Sequence, residues 1–386
     1  MSVTAPKGFV AAGVAAGLKA SGRRDLGLLV SGGPASAAAL FTRNALPAAP
    51  VVLGRRRLES GILRAVVVNS GQANAGTGDA GLEDAEAMSA AVAEVIQADA
   101  GEVLSCSTGV IGPRIPLPAA IAGVRAAAAG LSRGGGPAFA EAILTTDGHS
   151  KQTLIQADGF TVGGCVKGAG MIAPDLATLL VFLTTDAEAS PAILRTALRK
   201  SAAPIWNGLT VDGCSSTNDT VLVLANGASG TRPGPDGLAH AIGAACEDLA
   251  RQTVRGAEGA TTSIVVQVDG AASEADARAV ARAVASSLLV KTAVFGKDPN
   301  PGRILQSIGA AGVRLKPWLV EASLGTAPLI RAGAIPPSFD PVACAEAMKE
   351  PEVVIRIRLG EGFGSATAFG CDLGYEYVRI NAEYTT

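Results

Sequence analysis

Two histidines, His149 and His240, are all that the 386 residues contain, and their scarcity limits the chemistry available. A Ser-His-Asp arrangement needs a histidine beside its nucleophile. His240 sits instead in an Ala-rich helical pattern with no nucleophile motif next to it. No GxSxG elbow, HExxH or Walker A pattern occurs. The six cysteines (Cys106, Cys165, Cys214, Cys246, Cys344 and Cys371) are scattered without CxxC or metal-ligand spacing, so neither a metal nor another cofactor is expected. A catalyst built from these residues needs a nucleophile that brings its own base.

An N-terminal threonine, serine or cysteine is such a nucleophile, because its free α-amine, with a pKa of roughly 8, can take the hydroxyl proton. It must first be exposed by cutting the chain. The hydroxyl attacks the preceding carbonyl, the acyl group shifts from nitrogen to oxygen, and water releases the new amine. That requires a Thr, Ser or Cys at the start of a buried strand, after a small residue and a rigid turn. Residues 167–187, KGAGMIAPDLATLLVFLTTDA, fit this description. Gly168 and Gly170 permit tight geometry, Pro174 restricts the turn, Ala177 is small, and Thr178 opens an apolar run. Many threonines start strands, so these residues alone leave self-cleavage between Ala177 and Thr178 open beside a plain structural role.

The elements that must hold such a site alternate β-rich and Ala-rich helical runs, an α/β or α+β pattern. Strands are expected at 64–69, 103–107, 178–184, 220–225, 262–268, 353–359 and 375–381, and helices at 84–97, 116–129, 190–201 and 274–289. Ser190 and Pro191 form an N-cap and first-turn pair. SRGGGP at 132–137 reads as a linker, and 316–341 as irregular and proline-rich. Apolar residues make up 48% and charged ones 17%, enough for a sizeable core. A net charge of −2 speaks against nucleic acid or an anionic membrane as the main partner. No run approaches the roughly 20 apolar residues of a membrane span, and no basic segment precedes the first apolar stretch. The cytoplasm is the expected location.

Beyond these patterns, the chain resembles the ornithine acetyltransferase family, the glutamate N-acetyltransferases of arginine biosynthesis. The likeness rests on APKGFVAAGVAAGLKASG from Ala5, FTRN from Phe41, NSGQANAGTG from Asn69 and STGVIG from Ser107. It continues through TTD from Thr145, STNDT from Ser216, AEGAT from Ala257, LVKTAVFGKDPN from Leu289 and a terminal NAEYTT, and so covers nearly the whole chain. The resemblance implies a layered, αββα-like sandwich of the ornithine acetyltransferase and aminopeptidase type, in two lobes. It implies a cut into an α chain, residues 1–177, and a β chain, residues 178–386, which stay together as an α2β2 assembly. The implied mechanism is ping-pong. Thr178 takes acetyl from N2-acetylornithine and glutamate removes it, giving ornithine and N-acetylglutamate, with acetyl-CoA as an alternative donor. Position by position, Thr108 and Gly109 match the oxyanion hole and Lys167 the substrate-contacting lysine. Thr145 (or Thr146), Glu258, Asn381 and Thr386 match the other substrate contacts, with Glu258 suited to the side-chain ammonium of ornithine.

Some positions depart from the family pattern. Gly148, His149 and Ser150 replace its usual Thr-x-Pro after Asp147, Pro301 stands for a tryptophan, Thr262 for a lysine and Cys214 for an aspartate. Loss of an aromatic wall and a cation is expected to reshape the pocket, and His149 adds a titratable group near it. The alternative substrate reading is a related acyltransferase acting on different amines. The alternative reaction is that of an N-terminal-threonine amidohydrolase or aminopeptidase, with water as acceptor.

Overall fold

The structure, a computed structural model, describes residues 3–173 and 179–383. The Ala177–Thr178 bond and Thr386 lie outside the described residues. Two sheets organise the rest. The first contains β1 (Phe9–Val14), β2 (Leu26–Phe41), β3 (Ile62–Gln72), β4 (Val103–Val110), β5 (Lys151–Ala157), β6 (Phe160–Lys167), β7 (Leu180–Thr185) and β8 (Thr220–Ala225). Its order is β4-β3-β2-β8-β7-β6-β5, with β1 added antiparallel to β2. The second contains β9 (Ser263–Ala271), β10 (Glu321–Leu324), β11 (Ala327–Ile330), β12 (Glu352–Arg358) and β13 (Gly364–Cys371), in the order β11-β10-β12-β9-β13. The fold is mixed α/β.

Every residue of β7 and β8 is buried, which is why both read as unbroken apolar runs rather than alternating ones. The two-residue period divides their side chains between two clusters. Val181, Leu183, Val221 and Val223 pack with Leu238, Ile242 and Leu249 of the helix Pro235–Arg255. Leu180, Phe182, Leu222 and Leu224 point the other way, into a cluster with Phe9, Leu29 and Phe139. There Phe139 meets Phe182 edge-on, with ring centres 5.4 Å apart. At about 1.5–3 kcal/mol for each large apolar side chain buried, this pair of strands is the strongest hydrophobic anchor beside the expected cleavage site. The second sheet has its own core, where Val266, Val280, Val284, Ile304 and Ile308 meet.

The expected division at 177/178 therefore does not follow a domain boundary. β7 pairs with β6 in register Lys167↔Leu180, and β8 pairs with β2. Strands from after the division fill the gap between strands from before it. Residues before and after position 177 share one hydrogen-bonded sheet.

Several expectations need correction. Residues 375–381 are not a strand: the helix Tyr375–Glu383 occupies them, and the sheet strand is β13, just before. Arg379 pairs with Glu376 and Glu383, spacings that meet only on a helix, and Asn381 donates to the Tyr377 carbonyl one turn back. No residue of this helix is buried, so the Tyr375–Tyr377 alternation has no sheet core to face. Residues 132–137 are no free linker, since Ser132 bridges to Ala11 and Gly136 opens the helix Gly136–Ala142. The proline-rich stretch 316–341 contains the β10–β11 hairpin. Among the described residues, no helix is long and apolar enough to cross a membrane.

Candidate active site

A cavity of about 450 Å³ opens where the loop after β6 meets the ends of β3 and β4. Thr108, Gly109, Thr145, Thr146, Lys167, Glu258 and Asn381 all line it. These are all the candidate site residues that lie within the described part of the chain. Ala177, Thr178 and Thr386 lie outside it.

Thr108 and Gly109 end β4, parallel to Ser70 and Gly71 of β3. Gly109 has φ +131°, and a Cβ there would lie 2.3 Å from the Gly71 carbonyl carbon, so only glycine lets the two strand ends approach this closely. Asn218 ties the strand ends to the loop before β8, its side-chain amide donating to the carbonyls of Ala73 at 2.6 Å and Ser107 at 2.8 Å.

Lys167 ends β6, is 3% exposed, and donates from Nζ to Thr108 Oγ1 at 2.9 Å. Because that oxygen already accepts, the Thr108 hydroxyl proton is free to donate elsewhere. Burial pulls the Lys167 ammonium below its ordinary value and Lys151 adds to the fall, while Asp147, Asp219 and Glu258 oppose it. Beneath it lies a fully buried ion pair, Lys151 Nζ to Asp147 Oδ1 at 2.5 Å. Asp147 Oδ1 also accepts the Gly168 N–H at 2.8 Å, and Oδ2 the Thr145 N–H at 3.3 Å. Burial alone would raise this carboxyl, but Lys151, Lys167 and these hydrogen bonds hold it below the ordinary range. One carboxylate thus positions the backbone of two cavity-lining segments.

Glu258 is placed by its N–H, which donates to the Ala169 carbonyl at 2.9 Å, and its carboxylate accepts from Asn381 Nδ2 at 3.0 Å. A Cβ on Gly170 would come within 2.4 Å of that carboxylate, so glycine leaves the room Glu258 needs. The helix Tyr375–Glu383 thereby brings Asn381 to the cavity, as expected for the residue though not for its secondary structure.

Both described flanks of residues 174–178 are pinned by one loop. Asp212 accepts the N–H groups of Met171 at 2.6 Å and Ile172 at 2.9 Å, and Tyr377 donates its hydroxyl to the same carboxylate at 3.1 Å. Asp219 Oδ1 accepts the N–H of Leu179, the residue after Thr178, at 3.1 Å. Asp219 is completely buried, and its Oδ2 has no hydrogen-bond partner among the described residues. Burial drives its pKa well above the ordinary carboxylate value. The sequence reading passed over Asp147, Lys151, Asp212, Asn218 and Asp219. Asp147 stands in TTD, and Asn218 and Asp219 in STNDT, motifs whose polar residues have no obvious local partner, whereas Lys151 and Asp212 lie outside both.

The departures from the family pattern fall away from the cavity wall. Pro301 opens the helix Pro301–Gly309 and is buried there, while Thr262 accepts from Lys297 Nζ at 2.6 Å. Neither they, nor Cys214, nor the exposed His149 lines the cavity.

The sequence is similar to known proteins along nearly its whole length. The family model described as ArgJ family matches residues 10–386. The Arginine biosynthesis bifunctional protein ArgJ of Symbiobacterium thermophilum is 48% identical, with 100% of this chain and 98% of that protein covered. The protein of the same name from a Synechococcus strain is 46% identical, with 100% and 97% covered. Among solved structures, the Arginine biosynthesis bifunctional protein argJ from Bacillus halodurans is 38% identical with a TM-score of 0.50, and the match covers 53% of this chain and 98% of that one. Full-length matches at this identity, together with the site residues gathered at one cavity, establish that the chain belongs to the ArgJ family.

Proposed function

We propose that this chain is a self-cleaving acetyltransferase that moves acetyl from N2-acetylornithine to glutamate through an acetyl ester on Thr178. One observation carries the reading: Thr108, Gly109, Thr145, Lys167, Glu258 and Asn381, distant in sequence, line a single cavity beside the pinned flanks of residues 174–178. The names of the relatives and the whole-chain match support it. The Bacillus halodurans chain supports the cut, since it is matched almost end to end over a share of this chain close to that of residues 178–386.

In this mechanism the Thr178 hydroxyl attacks the acetyl carbonyl and its proton passes to the Thr178 α-amine. The carbonyl oxygen becomes negative and receives hydrogen bonds from the Thr108 hydroxyl and the Gly109 N–H. Lys167, donating to Thr108 Oγ1, turns that hydroxyl outward and adds positive charge behind it. Collapse breaks the amide C–N bond, and the ornithine nitrogen leaves with the proton. The α-amine of glutamate then attacks the ester, and the threonine oxygen leaves and is reprotonated. Removing one donor of such an oxyanion hole typically costs about 10²–10³ in rate. Glu258, steadied by Asn381, pairs with the ornithine ammonium, and Lys167 with a substrate carboxylate. We further propose that the pieces remain associated and assemble as α2β2 in the cytoplasm, with acetyl-CoA as an alternative donor.

Initial rates of N-acetylglutamate formation test the proposal. Parallel double-reciprocal lines with N-acetylornithine and glutamate are expected. Acetate release that does not depend on glutamate would instead make the chain a hydrolase.

A further inference from the structure

Among the described residues, four charged side chains line the cavity, and they are not balanced: Lys19, Arg23 and Lys167 are cationic and only Glu258 is anionic. The mechanism above uses Lys167 and Glu258. Lys19 and Arg23 have no part in it, although both sit in the loop between β1 and β2 that lines the cavity.

That loop is built rather than loose. Asp25 is completely buried and accepts three N–H groups from it: Ala16 at 2.6 Å, Leu18 at 2.7 Å and Lys19 at 3.0 Å. The Leu18 carbonyl is held from β3 by Gln72 Nε2 at 2.9 Å. The Lys19 ammonium donates to the carbonyls of Leu144 at 2.6 Å and Arg24 at 3.0 Å. An ammonium has three donors, so one remains for the cavity. Arg24, next in sequence to Arg23, points away and pairs with Glu141 at 3.1 Å. Among the described residues, the Arg23 guanidinium has no carboxylate partner.

Charge is also distributed along the cavity. Glu258 is among the anions that support the Lys167 charge, whereas those that support Lys19 are Asp25 and Asp147. Burial pulls Lys19 down to about 8, with Arg23 and Lys167 adding to the fall and Asp25 and Asp147 opposing it. An anion arriving there would relieve both the desolvation and the repulsion between like charges. The two proposed substrates differ in this respect: the side chain of ornithine ends in an ammonium, that of glutamate in a carboxylate. Glu258 suits the first and repels the second.

We propose that Lys19 and Arg23 form a carboxylate subsite that receives the side chain of the acyl acceptor, so that one cavity serves two substrates of opposite side-chain charge, one at these cations and the other at Glu258. This rests on the acetyl-transfer reading for the identity of the acceptor, but the anion site itself can be tested without turnover.

The test compares the whole wild-type protein with Lys19→Gln, Lys19→Arg and Arg23→Gln. In a ping-pong scheme, kcat/KM for each substrate reports its own half-reaction. Lys19→Gln is expected to lower kcat/KM for glutamate about tenfold or more and that for N-acetylornithine less than twofold, the size a charge-assisted hydrogen bond implies. Lys19→Arg should recover most of the loss, and Arg23→Gln should act in the same direction. Equal losses for both substrates, or no loss for glutamate, would overturn the proposal. So would a loss confined to acetyl-CoA, which would assign the cations to phosphate. If the wild type transfers no acetyl, calorimetric binding of glutarate decides: binding weakened tenfold by Lys19→Gln upholds the subsite, and no binding to the wild type refutes it.

Discussion

Replacing Lys151 with methionine isolates what the buried ion pair beneath the cavity contributes. Lys151 and Asp147 are both inaccessible, 2.5 Å apart, and besides this lysine Asp147 has two backbone N–H groups and the more distant Lys167 charge to steady it among the described residues. Methionine fills most of the lysine volume, so the main loss is the counter-charge. Stranding one member of a buried pair costs about 3–5 kcal/mol. With an unfolding entropy of about 2.1 cal/mol/K per residue over a chain of this length, that corresponds to a fall in Tm of about 4–6 °C. The double variant Lys151→Met with Asp147→Leu removes both charges and should regain more than half of the loss, although Gly168 and Thr145 then lose their acceptor. Scanning calorimetry at pH 7 makes the comparison. A Tm for Lys151→Met within 1 °C of wild type would refute the idea that the pair is a mutually dependent unit.

Three further outcomes follow from the same geometry. Gly109→Ala forces a methyl against the Gly71 carbonyl, so overpacking of about 1–3 kcal/mol should lower Tm and cut acetyl transfer at least tenfold, both measured on one preparation. Tyr377→Phe removes one hydrogen bond from Asp212; at a net worth of about 1 kcal/mol, self-cleavage followed by gel after synthesis should slow about fivefold. For Asp219 the folded pKa is raised, so the wild type loses stability as pH rises from the unfolded value toward the folded one. Asp219→Asn keeps the acceptor for Leu179 without that penalty. Its Tm should therefore gain on wild type between pH 5 and 8, by at most about 1.7 °C per pH unit, and a constant difference would contradict the raised pKa.

The residues gathered at the cavity were more legible in the sequence than the framework that holds them. Strand β8 was read to the residue because its apolar run is continuous and β-branched. Strands β1 and β2 leave little trace because FVAAGV and LGLLVSGGPASAAALF are rich in Gly and Ala, whose local preference is not β, and only pairing, of β2 with β3 and β8 and of β1 with β2, makes them strands. The last helix carries a Tyr375–Tyr377 alternation that mimics a strand, and only its ion pairs at helical spacing mark it as a helix. Thr108, Lys167, Glu258 and Asn381 stood out through ordered motifs, but nothing in those motifs told of the Lys167–Thr108 hydrogen bond or the Lys151–Asp147 pair below it. Asp212 and Asp219 are seven positions apart in a polar loop, and their role depends on segments that reach them from elsewhere in the chain. Long-range partnership of this kind leaves no periodic trace in sequence.

The most direct test of the central claim is denaturing mass spectrometry of the purified protein and of Thr178→Ala, each incubated with N-acetylornithine. The account predicts two fragments from the wild type, divided after Ala177, with one acetyl mass on the C-terminal fragment alone, and a single uncut, unacetylated chain from the variant. A single uncut chain from the wild type, or acetyl on the fragment 1–177, would contradict it.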